Sequence, residues 1–149
     1  MKILIQEADF DAGAELAALG AGNATVGGIA CFVGRVRDIN DGSGVTGLFL
    51  EHYPAMTTRA LSEIMEAASR RWQVQDATVI HRIGQLQPMD QIVFVGVASC
   101  HRGDAFAACE FIMDYLKTRA PFWKKETTPD GERWVDARPW DESSAERWK

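Results

Sequence analysis

Cysteine is scarce in this chain. Cys31, Cys100 and Cys109 are the only three, and no two of them form a CxxC pair. An odd, scattered set provides no disulfide framework, and reduced thiols in a cytoplasmic protein are the simplest reading. Histidine is equally thin. Among His52, His81 and His101, only the neighbours Cys100 and His101 bring a histidine close to another His or Cys in sequence. Neither a metal nor any other cofactor is expected from such a set. Adjacent residues at a strand end point to different sides, which disfavours a Cys–His dyad there. Long apolar runs are also missing. No stretch is long enough to cross a bilayer, and Met1 to Phe10 lacks the apolar core of a secretory leader, so no membrane partner is expected. Positive charge is in deficit, with 16 Lys and Arg against 21 Asp and Glu. A net charge of -5 argues against a chain that coats nucleic acid, because phosphate binding leaves a basic footprint.

What is present reads as one ordinary domain spanning residues 1–149, whose polar end, 139–149, is expected to fray or to dock on a partner. Lys2 to Ile5 reads as an edge strand. Asp11 to Leu19 reads as a helix stopped by Gly20 and Gly22. Gly27 to Val33 is an apolar strand, and Gly34 to Gly44 a polar, mobile loop with Arg35 and Arg37 at its base. Val45 to His52 alternates as a half-buried strand does, and Pro54 ends it. A helix capped by Thr57 or Thr58 runs to about Trp72, with Leu61, Ile64, Met65 and Ala68 on its apolar stripe. Thr78 to Ile83 is a strand and Gly84 to Asp90 a connection. Ile92 to Ala98, rich in β-branched residues, is a strand. A long helix from about Gly103 to Thr118 buries Ala105, Cys109, Ile112, Met113 and Leu116, and Pro121 breaks the chain after it. Phe122 to Thr127 and Arg133 to Ala137 flank the turn Thr128-Pro129-Asp130-Gly131, which predicts a hairpin. Strands and helices mix without regular βαβ alternation, so the class is α+β, with a mixed or antiparallel sheet, two main helices and a C-terminal hairpin.

The basic residues are unevenly placed. Lys117, Arg119, Lys124 and Lys125 fall within nine positions that hold no acid. Lys117 stands near a helix C-terminus, where a cation is favoured by the dipole. Lys124 follows the apolar pair Phe122-Trp123, and a lysine crowded by cations can act as acid, base or nucleophile. By spacing alone, such lysines are more often solvated charges. His101-Arg102 sits where a strand ends and a helix begins, a place that suits an anion or merely a capping turn. Arg35 and Arg37 alternate along an extended stretch, so both can face one side. If the three elements converge, a phosphorylated small molecule is the natural substrate.

Several strings then resemble one family. They are Leu50-Glu51-His52-Tyr53-Pro54, Val79-Ile80-His81-Arg82-Ile83-Gly84, Ser99-Cys100-His101-Arg102, the run LKTRAPFWKKE from Leu116 to Glu126, and Trp134-Val135. In this order, from about residue 27 to 138, they resemble the large, catalytic subunit of molybdopterin synthase. The resemblance implies an α/β hammerhead fold and a sulfurtransferase. Two sulfurs pass from the C-terminal Gly-Gly thiocarboxylate of a small ubiquitin-like sulfur carrier subunit to cyclic pyranopterin monophosphate, giving molybdopterin. It also implies a homodimer within a heterotetramer. Its catalytic lysines fall on Lys117 and Lys124. Its substrate pocket falls on Arg35, Val36, Arg37, His101, Arg102, Lys117, Lys124, Lys125 and Glu126, with Arg138 reaching in from the other subunit. The chain departs from the family's usual pattern at Cys100, and at Ala55 and Met89, which replace glycines usual in those turns. A reading of another class is a non-catalytic scaffold that only docks a ubiquitin-like partner. It would have no need of a cationic pocket.

Overall fold

The computed structural model describes residues 1–40, 42–135 and 139–149. In chain order the elements are β1 (Lys2–Gln6), α1 (Ala12–Ala18), β2 (Gly28–Arg35), β3 (Ile39–Asn40), β4 (Ser43–Gly44), β5 (Gly47–His52) and α2 (Pro54–Arg71). There follow β6 (Asp76–Arg82), β7 (Gly84–Leu86), β8 (Gln91–Ser99), α3 (Arg102–Arg119), β9 (Phe122–Thr128), β10 (Gly131–Val135) and α4 (Pro139–Glu146). The class is α+β, as the sequence leads one to expect. The strands, however, divide between two four-stranded sheets and a small hairpin. One sheet runs β1-β6-β8-β2, with β1 parallel to β6 and the other pairs antiparallel. The second, wholly antiparallel, runs β10-β9-β5-β7.

The apolar run of β8 is buried on both faces, which is why it reads as continuous rather than alternating. On one face lie α2 and α3, whose Leu61, Ile64, Met65 and Ala68 meet Ala105, Cys109, Ile112 and Leu116 over Val79, Val93, Val95 and Val97. On the other face, Phe94 and Ile80 pack with Phe10 and Leu19 at the two ends of α1. Asp11 caps that helix by accepting from the Ala14 N–H at 3.1 Å.

Local chemistry shifts four expectations. Pro54 does not merely end β5. It opens α2 at its first turn, where a missing N–H costs nothing, so the helix starts three residues before Thr57. Thr57 is fully buried instead, and its hydroxyl donates to the Pro121 carbonyl at 3.3 Å. The connection after Ile83 contains β7, because Gly84 to Leu86 finds an antiparallel partner in Leu48 to Leu50. The segment read as a loop from Gly34 begins as strand through Arg35 and then forms the β3–β4 hairpin. Past the C-terminal hairpin, α4 lies against α3. Ala145 is buried there, and Trp148 donates from its indole N–H to Asp114 at 2.6 Å while making edge contacts with Trp72 and Phe111.

Candidate functional site

The two sheets meet where β2 ends. After Gly34 the β2–β8 register shifts, and the chain stays tied to the neighbouring turn. Val36 donates its N–H to the Asp90 carbonyl, Met89 donates back to Val36, each at 2.9 Å, and the Arg35 Nε donates to the Met89 carbonyl at 3.2 Å. Val36 itself is buried in a small cluster with Leu48, Leu50 and Leu86. That cluster floors the second sheet and fixes the strand end from which Arg35 and Arg37 project.

Two neighbouring cavities open here, of about 130 Å³ and about 420 Å³. Arg35, Arg37, Ile92, Lys117 and Lys124 line both of them. Lys117 arrives from the last turn of α3 and Lys124 from β9, the two elements that Pro121 separates. Val36 and Glu126 line the smaller cavity. The convergence expected of Arg35, Val36, Arg37, Lys117, Lys124 and Glu126 is therefore present within one chain.

Three of the expected pocket residues are placed otherwise. Lys125 points away, because successive side chains of a strand face opposite sides and Lys124 and Glu126 take the inner one. Its ammonium pairs with Glu132 at 3.3 Å and lies over the rings of Phe49 and Trp134. His101 and Arg102 sit at the opposite end of α3 from Lys117. That helix has 18 residues, so roughly 27 Å separates its ends. They are exposed and line neither cavity. Arg138 lies outside the described residues.

Sequence reasoning also missed residues that shape the site. His81, 3% exposed, lines the larger cavity beside Lys117 and Lys124. Its ring stacks on Phe122 with centroids 3.8 Å apart, and Phe122 in turn stacks on His52. The Nδ1 of His81 lies 2.8 Å from the Arg82 carbonyl, which can only accept, so Nδ1 carries the hydrogen and Nε2 the lone pair. Burial, with the charges of Lys124 and Lys117 alongside, pushes its pKa down to about 3, so the ring stays neutral near pH 7. On an apolar strand it reads as a core residue, and only the loop and helix ends folding over it reveal otherwise.

Asn40 and Arg133 are the other two. Asn40 donates its amide to Glu126. Arg133 donates to Glu126 from Nε at 3.0 Å, pairs with it through Nη2 at 2.9 Å, and donates to the Asn40 carbonyl at 2.8 Å. Asn40 and Glu126 are both buried. No sequence spacing announces this group, since its members lie 7 and 86 residues apart along the chain. Cys109, by contrast, lies in the core as its helical position implies. Burial raises its thiol to about 12, far from nucleophilic use. Among the described residues no three His, Cys, Asp or Glu side chains gather as a metal site would require. No described helix is long and apolar enough to cross a membrane.

A cationic pocket between two sheets, with one neutral imidazole and one carboxylate, is suited to hold an anion and stabilise charge that develops on it. Comparison with known proteins places the chain in a family. The model of the MoaE protein family matches residues 5–119. A molybdopterin synthase catalytic subunit from Ralstonia nicotianae is 65% identical over 98% of this chain and 83% of its own length. The solved structure of a molybdopterin biosynthesis MoaE protein from Burkholderia ambifaria superposes with a TM-score of 0.84, at 58% identity, covering 99% of this chain and 97% of that one. A protein–protein complex of subunits 1 and 2 of the molybdopterin-converting factor from Helicobacter pylori shares the fold, with a TM-score of 0.75, 21% identity and 91% coverage of each chain.

Proposed function

The chain belongs to the MoaE protein family, and on that premise we propose that it is the catalytic subunit of a molybdopterin synthase. It transfers two sulfurs to cyclic pyranopterin monophosphate, one from the C-terminal thiocarboxylate of each of two small ubiquitin-like carriers, which leave as carboxylates. The observation that carries this reading is the meeting of Lys117 and Lys124 with Arg35 and Arg37 around shared cavities. Arg35 and Arg37 hold the phosphate, which turns the reaction of two bound species into a positioned one. Lys117, at the exposed mouth, meets the carrier's terminal carboxyl and stabilises the negative charge that develops there. Lys124, half-buried, moves the proton during thiocarboxylate attack and opening of the cyclic phosphate. The sulfur arrives on the partner, which fits a chain whose three cysteines are free and stand in no pair. It also fits a reducing, cytoplasmic setting.

The relatives' names support the activity, and the H. pylori complex supports a small-subunit partner. The placement of His101 and Arg102 favours the homodimer. At the far end of α3 they can serve this pocket only from a second copy of the chain, the route also proposed for Arg138. The test is reconstitution. The chain is mixed with a thiocarboxylated small subunit and the cyclic phosphate, and molybdopterin is measured. Lys117→Ala should lose at least about a hundredfold in rate, the scale set by removing one transition-state charge partner, while still binding the carrier. Full activity in that variant would sink the assignment, and carrier binding without turnover by the unmodified chain would favour the scaffold reading.

A further inference from the structure

Glu126 poses a problem that the proposed reaction does not solve. It is a carboxylate, 5% exposed, in the wall of a cavity whose other charged lining residues are Arg35, Arg37, Lys117 and Lys124. Left to itself, a buried carboxylate would pair with the nearest cation and cancel the charge meant for an anionic ligand. It is not left to itself. Arg133, on β10, donates to Glu126 Oε2 from Nε and forms an ion pair with the same oxygen through Nη2. The second oxygen, Oε1, takes the Asn40 amide. Because a carboxylate only accepts, it fixes which end of the Asn40 amide faces it. The same Arg133 reaches on to the Asn40 carbonyl and so ties the β3–β4 hairpin to the β9–β10 sheet.

We propose that Arg133 is a positioning residue for this pocket: it engages Glu126, so that this carboxylate does not cancel the charge that Arg35, Arg37 and Lys117 present to an anionic ligand, and it pins the segment that leads from Arg37 to Asn40. The β9–β10 register makes the arrangement possible, since Arg133 stands directly opposite Glu126 across the antiparallel pair. Opposed residues of that kind bring their side chains together on one face. Lys125, the neighbour on the other face, is meanwhile paired with Glu132. The hairpin thus sorts its charges: the outer pair is solvated, and the inner pair withdraws one negative charge from the cavity.

The proposal rests on the anion-pocket reading and is tested by charge removal in two steps. Arg133→Met keeps an unbranched apolar stem and loses the guanidinium. Arg133→Met with Glu126→Gln removes both charges. Titration with inorganic phosphate reads affinity without turnover, and the reconstituted assay reads KM and kcat for the cyclic phosphate. Arg133→Met should weaken phosphate binding and raise KM about tenfold or more, with kcat falling less than threefold. Adding Glu126→Gln should recover most of that loss, because no unpaired carboxylate remains to compete. A purely structural role for Arg133 predicts the opposite for the double variant, which is then no better than the single one. That outcome, or an unchanged phosphate affinity in Arg133→Met, overturns the proposal. A wild-type chain that binds no phosphate overturns both the pocket reading and the proposal. A wild type that binds phosphate but makes no molybdopterin overturns only the sulfur transfer.

Discussion

Replacing His81 by Phe should flatten the acid limb of the stability curve. The ring that stacks on Phe122 is nearly isosteric with phenyl, so packing is largely kept. What is lost is the hydrogen bond to the Arg82 carbonyl, worth about 1–3 kcal/mol when a buried acceptor is left unmade. What is also lost is a proton-binding site. In the folded chain His81 titrates at about 3, held down first by burial and then by Lys124, Lys117 and His52 around it. In the unfolded chain it should titrate near 6.5. Because the folded value is the lower one, the unfolded chain binds a proton that the folded chain refuses between these two values. Stability from this residue is therefore full above about pH 6.5 and falls as the pH drops towards about 3. Between about pH 7 and about pH 4.5 the loss works out at about 2.5 kcal/mol, at 1.36 kcal/mol per unit. Urea unfolding followed by tryptophan fluorescence at both pH values, on wild type and variant, isolates the effect, since every other titration is shared. The wild type should lose about 2.5 kcal/mol more than the variant across that interval. A difference under about 1 kcal/mol would refute the argument that burial holds this ring neutral.

Two further predictions concern the backbone. Gly27→Ala would place a Cβ 2.1 Å from the Cys100 carbonyl oxygen, where the Gly27 N–H already donates to Ser99 at 2.9 Å. With backbone on both sides nothing yields cheaply, and a loss of about 3 kcal/mol or more is expected, read as a lowered Tm. An unchanged Tm would mean the two strands separate at no cost. Met89 is the single non-glycine with positive φ among the described residues, at 78°, and the residue is 73% exposed. Met89→Gly should therefore stabilise by about 0.5–1 kcal/mol, the left-handed strain relieved less the extra entropy of glycine. A lower urea midpoint in that variant would contradict it.

Much of this protein is legible before any tertiary contact forms. Periodicity alone locates the α2 and α3 stripes, because Leu61, Ile64, Met65 and Ala68, like Ala105, Cys109, Ile112 and Leu116, each recur once per helical turn. The turn Thr128 to Gly131 announces its hairpin through residues that only a turn favours. The local reversal of charge around Lys117 and Lys124 is likewise visible in the residues, and so is the likeness to a family. These features are local, and local rules suffice for them.

Only the tertiary structure decided which of the charges meet. That Lys124 faces inward and Lys125 outward depends on which side of β9 shares a sheet face with Leu48 and Leu50 of the neighbouring strand, a choice made by the sheet as a whole. That Lys117 joins Arg37 while His101 and Arg102 do not depends on the direction of α3 across β2 and β8, which puts the two ends of one helix at opposite ends of the strands. The neutral His81 and the Asn40–Glu126–Arg133 group exist only because distant segments close over one another, desolvating one side chain and supplying partners to the others. A residue's type sets what chemistry it can do. Its surroundings, assembled from the whole chain, set which of those chemistries it does.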